Sequence, residues 1–349
     1  MPISSSAPIT LDNPILQRAQ RSYALATIIM PLLGTVAAIV LMCFHPITAI
    51  DIGLLVFMYV LTSVGITVGF HRYFSHRSFE AHPALEVALG IMGSMAAQGS
   101  IVYWAATHRR HHTYSEQADD PHSPYVHDGK TLGFLRGFWH SHIGWMLASQ
   151  MTNTARFARD LIKRPLIARI NAMYSVWVMA GVLLPACLGG LLSQTWMGAL
   201  TGFLWGGMVR LCLVHHMMWT SGSTAHMFGL RHFNTNDNST NNPVLALANL
   251  GEAWHNNHHA FPYSAMFGLK WWQIDMGGCF IRTAQALGLA RNVRRPSPDQ
   301  ILHRQKESVD NVYRKVDKLE FCAPAIFRRI FPAPRPLENS RPEGITTDA

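Results

Sequence analysis

Two pairs of apolar runs, each about one membrane thick, set the architecture open to this chain. Residues 23–44 (YALATIIMPLLGTVAAIVLMCF) and 51–70 (DIGLLVFMYVLTSVGITVGF) form the first pair, and residues 172–192 and 196–217 form the second. A helix of about 20 residues rises about 30 Å, enough to cross the hydrocarbon of a bilayer. In lipid every backbone N–H and C=O must be paired within the segment or against protein, so helices are predicted. Pro31 and Pro185 fall inside runs, which membrane helices tolerate. Arg210, His215 and His216 lie in the second half of the fourth run and must face protein or the membrane boundary.

Basic residues set the orientation. The connections 45–50 (HPITAI) and 193–195 (SQT) hold no Lys or Arg, while the N-terminus, the 71–171 segment and the C-terminal region hold nearly all of them. The positive-inside rule therefore predicts cytoplasmic termini, a cytoplasmic middle segment and external short connections, as in a multi-pass protein of a bacterial inner membrane. Charged residues make up 14% of the chain, against roughly 25% in soluble domains, which agrees with that reading. The net charge of +9 is assigned to loops beside anionic lipid and not to nucleic-acid binding. Five scattered cysteines without a C-x-x-C pair indicate neither a disulfide framework nor an iron–sulfur or zinc-ribbon module. The polar first 22 residues lack the short apolar core of a removable signal, so the first run is expected to stay as a span.

A further apolar stretch, residues 84–106, is read as an interfacial or bundle-buried helix and not as a fifth span. A fifth span would put the histidines at 71 and 108 on opposite sides of the membrane. After about residue 295 the chain turns polar, with a charged predicted helix and a disordered tail over roughly the final 15 residues.

Nine of the nineteen histidines are organised. His71 and His76 form H-x4-H in HRYFSH. His108, His111 and His112 form H-x2-H-H in HRRHH, and His255, His258 and His259 repeat it in HNNHH. His226 stands alone in STAHMFG. Residues at i, i+3 and i+4 share a helix face, so each triplet is expected to converge on one place. Nine imidazoles are too many for one four-ligand metal and fit two. Ligand type leaves Fe, Cu, Ni and Zn open. Lone aromatics in apolar sequence, Tyr103, Trp145, Trp219 and Trp254, are expected to be packing residues.

The series ITVGFHRYFSHRSF (66–79), THRRHHTYSEQADDPH (107–122), SHIGW (141–145), STAHMFG (223–229) and GEAWHNNHHAFPYS (251–264) resembles the histidine boxes of membrane fatty-acid desaturases. Its order and spacing over residues 50–290 are similar to the acyl-CoA Δ9 (stearoyl-CoA desaturase-like) branch. The resemblance implies an all-α integral membrane fold of four transmembrane helices in two hairpins, with a cytoplasmic helical cap holding a di-iron site. It divides the chain into a polar segment 1–22, a desaturase domain 23–290 and a basic C-terminal region 291–349. It implies two iron ions on the nine histidines, O2 as co-substrate, and removal of two hydrogens from an acyl chain. A mid-chain methylene has no acidic proton, so an O2-derived oxidant made at a metal is required. Asp119, Asp120 and Glu252 are expected to accept hydrogen bonds from imidazole N–H groups. Gln98 and Trp104 match tunnel-lining positions of the branch.

Three positions depart from the branch. Gly222 stands where, in the branch, an Asn holds one metal through a water, so that bridge is expected to be lost here or taken over by Ser221 or Ser223. Met218 replaces a tunnel Thr, and Ala106–Thr107 replace an Arg–Asp pair at the CoA end. The expected substrate is therefore a fatty acyl thioester on CoA or acyl-carrier protein (ACP), or a lipid-linked chain, with a cis double bond placed at Δ9. Hydroxylation or triple-bond formation on the same scaffold is the alternative reaction, and a histidine-rich metal-binding or transport protein is the alternative class. With no H-P-G-G haem motif, electrons are expected from a separate ferredoxin, rubredoxin or cytochrome b5 with its reductase.

Overall fold

A computed structural model describes residues 7–148 and 150–305. The charged helix and tail expected towards the C-terminus, with Arg314 and Lys315, lie outside the described residues. Among those described, four helices are long and apolar enough to cross a membrane: α1 (Pro14–Met42), α2 (Ala49–Ser75), and two later helices, Tyr174–Ser193 and Trp196–Met227. Between the pairs come α3 (Pro83–Ser94), α4 (Ile101–Tyr114), α5 (Phe134–His142) and α6 (Pro165–Ala172). The second pair is then α7 (Tyr174–Ser193) and α8 (Trp196–Met227). α9 (His255–Ala260) and α10 (Met276–Ala286) complete the cap.

Local chemistry fixes the helix starts. Thr48 and Asp51 form a reciprocal capping box at the head of α2. Asn13 caps α1 by accepting from the Ile15 and Leu16 N–H groups, and Pro14 occupies the first turn. That cap starts α1 nine residues before the apolar run at 23, so residues 14–22 of the expected polar segment 1–22 are helix carrying Arg18 and Arg21. Hydropathy marks where lipid begins; the cap marks where the helix begins.

α8 is the axis of the bundle. Its middle, Phe203–Val209, is wound as a π-helix and packs against α1, α2 and α7. Glycines allow these approaches: a Cβ on Gly202 would lie 2.3 Å from the Pro185 carbonyl oxygen, and one on Gly206 would lie 2.5 Å from the Pro185 Cβ. In their most apolar windows α2 and α8 are each 56% buried, against 17% for α1 and 22% for α7. The first and third spans thus face lipid, and the second and fourth form the inner pair that carries the site.

The 84–106 stretch is not a fifth span. α3 packs back along the π-wound end of α2, with Leu89 against Gly69 and Gly93 against Gly65. The chain then breaks at residues 95–100, where Ala97 and Gly99 take positive φ, before α4 begins. A broken helix deep in a membrane protein needs partners for its backbone. Arg210, fully buried, donates to the Met95, Gly181 and Gly206 carbonyls, and His215 Nε2 pairs with the Ala96 carbonyl at 2.7 Å. Tyr23 donates to the Ala97 carbonyl, and the Gly99 N–H donates to the Tyr174 hydroxyl, each at 2.9 Å. The ionisable residues noted in the fourth run, Arg210 and His215, therefore hold this corner, which aims α4 at the centre.

Two-residue antiparallel pairings tie the ends to the cap: Thr10–Leu11 with Met151–Thr152, and Glu80–Ala81 with Ala290–Arg291.

Candidate metal centre

The nine histidines assemble into two groups at the cap end of α2 and α8. His71, His76, His108, His112 and His258 offer one nitrogen each, all within 4.8 Å of one another, and His111, His226, His255 and His259 form a second group by the same measure. The triplets do not converge on one place as the spacing predicts; each is divided. His108 and His112 serve the group of five while His111 serves the group of four, and His255 and His259 serve the four while His258 serves the five. The reason is angular. At 100° per residue, positions i+3 and i+4 fall on opposite sides of position i. A helix aimed at the line between two centres sends one imidazole to one side and two to the other.

The first box depends on a different winding. Five residues along an α-helix turn the side chain by about 140°, away from its partner. Gly65–Ser75 is a π-helix, in which i→i+5 pairing brings position 76 back over position 71. The His76 N–H donates to the His71 carbonyl at 3.2 Å, and the two rings lie 5.1 Å apart.

Carboxylates orient the rings. Glu252 accepts from His71 Nδ1 and from the Thr67 hydroxyl. Asp120 lies 3.0 Å from His111 Nδ1, Glu116 2.9 Å from His226 Nδ1, and Asp237 2.6 Å from His259 Nδ1. Two of the three expected acceptors, Asp120 and Glu252, are thus placed on imidazoles. Asp119 is not: it is exposed, and its backbone carbonyl accepts from Arg110 Nε at 2.7 Å. The turn after α4 points Asp120 inward and its neighbour outward. Glu116 and Asp237 were missed, because they sit in loops 110 and 22 residues from their histidines. Only the tight S-E-Q and N-D-N turns mark them in sequence.

These groups fit metal ions. Where Nδ1 donates to a carboxylate, Nε2 is a bare lone pair, and His71 Nε2 faces His258 Nε2 at 3.0 Å. Similar pairs join His76 to His108 at 2.8 Å, His258 to His112 at 2.9 Å and His255 to His226 at 3.0 Å. Two nitrogens bound at right angles to one ion with bonds of about 2.1 Å stand about 3.0 Å apart. His111 Nε2 and His259 Nε2, opposite their carboxylates, are buried without a partner. Burial first, and repulsion among the imidazoles second, holds His76, His108, His112, His255 and His258 well below the ordinary imidazole range, so they are neutral donors. His111 goes the other way: burial alone would lower it, but the Asp120 carboxylate raises it.

A largely apolar cavity of about 400 Å³ runs to these groups from the head of α1. Leu16, Ala19 and Tyr23 line its outer part and are themselves exposed, whereas His71, His108, His111 and His255 line its inner end. Gln98, Trp104, Met218 and Gly222 all border it, and Trp104 stacks on His108 with centroids 5.0 Å apart. Tyr103, Trp145 and Trp219, expected as packing residues, also form its wall; Trp254 is buried elsewhere and donates to the Ile274 carbonyl. Ser223 is engaged with His142 and the Trp219 carbonyl, whereas Ser221 Oγ faces the cavity without a partner.

The fold and site define a multi-pass membrane protein whose buried imidazoles close the inner end of an apolar cavity. Residues 48–277 match the family described as Fatty acid desaturase, and the chain belongs to that family, making it an oxidoreductase. It is 41% identical over 303 residues (86% of this chain, 94% of the relative) to a hex-5-enoyl-(acyl-carrier protein) acetylenase of Moorena producens (strain JHB). It is 36% identical over 246 residues (70% and 84%) to an sn-1 stearoyl-lipid 9-desaturase of Anabaena variabilis. It is 37% identical over 261 residues (73% and 76%) to an acyl-CoA C20 Delta5-desaturase of Anemone leveillei.

Proposed function

We propose that this chain is an O2-dependent fatty acyl desaturase that works at a di-iron centre. His71, His76, His108, His112 and His258 hold one iron, and His111, His226, His255 and His259 hold the other. The observation that carries this reading is the continuity of one apolar cavity with both imidazole groups. Iron held there would supply the O2-dependent redox chemistry that no side chain in the cavity can supply. The reaction takes two hydrogens from adjacent methylenes and reduces O2 to two waters with two further electrons and two protons. The chain's own groups bind, orient and exclude water. Trp104, stacked on His108, and Met218 and Gln98 along the wall fix how far and at what angle the acyl chain enters. Glu252, Asp120, Glu116 and Asp237 hold their imidazoles in one tautomer.

The double bond is assigned to Δ9 with cis geometry, in line with the Anabaena relative's name. A second reading, acetylenase activity on a carrier-borne chain, is favoured by the Moorena relative, which matches across 86% of this chain. Ala106 and Thr107 offer no charged pair for CoA, which favours ACP or a lipid as the carrier. Cytoplasmic termini in a bacterial inner membrane and a separate ferredoxin, rubredoxin or cytochrome b5 complete the assignment.

The test is gas chromatography–mass spectrometry of acyl chains from a bacterial host expressing wild type or His258→Ala. A new double bond at C9, with wild type only, is the expected result. A triple bond formed from a supplied carrier-linked enoyl chain would select the second reading. Metal uptake without any change in acyl chains would overturn both.

A further inference from the structure

Between the first and third spans the cavity is closed by two tyrosines. α1 and α7 each pack on α8. Where the two approach, Tyr23 and Tyr174 meet with ring centroids 5.8 Å apart and their hydroxyls hydrogen-bonded. Both line the cavity, Tyr174 being the one residue of α7 that does, and Tyr23 is also 37% exposed. Their neighbours Leu25 and Val176, on the two spans that face lipid, are exposed.

The hydroxyls form a latch that runs in one direction. The Gly99 N–H donates to Tyr174, the Tyr174 O–H donates to Tyr23, and the Tyr23 O–H donates to the Ala97 carbonyl. Each hydroxyl gives one hydrogen bond and takes one. The latch hangs on the 95–100 corner, whose Gln98 and Gly99 also border the cavity. Tyr23 opens the first apolar run, and Tyr174 is the first residue of the third span. That places the pair at the edge of the hydrocarbon, level with the ester groups of a membrane lipid. An interfacial tyrosine needs only headgroups and water as partners; these two commit their hydroxyls to each other and to the corner. Exposed Arg18 and Arg21 on α1, and Arg169 on α6, precede the pair toward the polar ends of the helices, where lipid phosphates stand.

We propose that the slot between α1 and α7 binds a membrane glycerolipid, whose ester-linked acyl chain passes between Tyr23 and Tyr174 into the cavity while the headgroup stays in the bilayer. The proposal rests on the reading of the cavity as an acyl site, and it commits the carrier to lipid. A chain lying in the slot separates the two hydroxyls, so lipid binds against the latch. The other way in, past Leu16 and Ala19 at the head of α1, leaves the latch shut.

The experiment places the iron-free full chain in nanodiscs of phosphatidylcholine with a rising fraction of lipid carrying a dibrominated acyl chain. Bromine quenches indole fluorescence on contact, and Trp104, stacked on His108 in the cavity wall, is the reporter. Its signal is the difference between each protein and the same protein with Trp104→Phe. Brominated lipid should quench that signal in wild type. Tyr23→Phe removes the hydroxyl contact, and one hydrogen bond fewer in the closed state raises the open population about 5-fold. Half-quenching should therefore come at an about 5-fold lower fraction of brominated lipid. Tyr174→Phe should shift it in the same direction and serves if the first variant fails to fold. Quenching that is equal in wild type and both variants would place entry at the head of α1 and overturn the proposal. Quenching by a brominated acyl chain supplied on acyl-carrier protein, but not by brominated lipid, would overturn it as well. Quenching by neither would instead overturn the reading of the cavity as an acyl site.

Discussion

Removing the charge behind one imidazole tests whether the carboxylates act on the centre. Asp237 accepts from His259 Nδ1 at 2.6 Å, the Thr235 hydroxyl at 2.7 Å and the Ser239 N–H at 3.0 Å, and it is largely buried. Burial works against its ionisation, but His259, His226 and Ser239 together outweigh that and hold the carboxyl far below the usual carboxylate range. Asp237→Asn keeps the shape and one acceptor oxygen. It removes the negative charge and turns an amide N–H₂ toward donors that need an acceptor. An outer-shell loss of this kind costs about 10–100-fold in metal affinity, or about 1.4–2.7 kcal/mol. Asp119→Asn is the internal control, since Asp119 is exposed and contributes through its backbone carbonyl; its effect should stay within about 0.5 kcal/mol. The assay is competition for iron by a chelator of known affinity, with the apo-protein unfolding temperature measured in parallel. Asp237→Asn holding iron as tightly as wild type, or Asp119→Asn losing it as readily, would refute the reasoning.

Three further outcomes are expected. Asp160 joins Arg109 of α4, at 2.6 Å, to Arg77 beside the first box; burial raises its carboxyl, but the two arginines outweigh that and bring it down to about 2. A depressed folded-state value means the stabilisation is present above the unfolded value of about 3.9 and lost as pH falls through about 2. Asp160→Asn should therefore lower the unfolding temperature at pH 7, with the gap to wild type closing between about pH 4 and 2. Gly202→Ala forces a methyl onto the Pro185 carbonyl and should destabilise the α7–α8 hairpin by about 1–3 kcal/mol. Gly53→Ala, with open space around it, should be neutral or mildly stabilising; equal effects at the two positions would count against the packing argument. Arg210→Met leaves three buried carbonyls without their donor, each worth about 1–3 kcal/mol, and should lower thermal stability more than Arg210→Lys does.

The spans and the nine histidines were legible because each is written locally, as a run of apolar residues or a short spacing. Glu116 and Asp237 were not, since nothing near either residue announces a histidine far along the chain. The π winding of Gly65–Ser75 was hidden as well: H-x4-H is awkward on an α-helix, and that awkwardness was the available signal. The start of α1 was written in Asn13–Pro14 but outside the apolar run, where hydropathy is silent. The division of each triplet needed the rotational setting of α4 and α9 against each other. That setting is made by packing at the 95–100 corner and by Asn256 and Asn257 in the cap. Asn256 Oδ1 accepts from the His232 and Phe233 N–H groups, and Asn257 Nδ2 donates to the Phe267 carbonyl. Sequence spacing gives phase within a helix, never between helices.

The divided triplets also constrain how this centre can fail or change. Because α4 and α9 are each a party wall between the two groups, turning either by one residue, about 100°, would withdraw nitrogens from both sides together. An insertion, a deletion or a shift in the register of either helix cannot disable one half and spare the other. Inequivalence between the halves is therefore confined to what single side chains can adjust: the carboxylate behind a ring, or the space beside one.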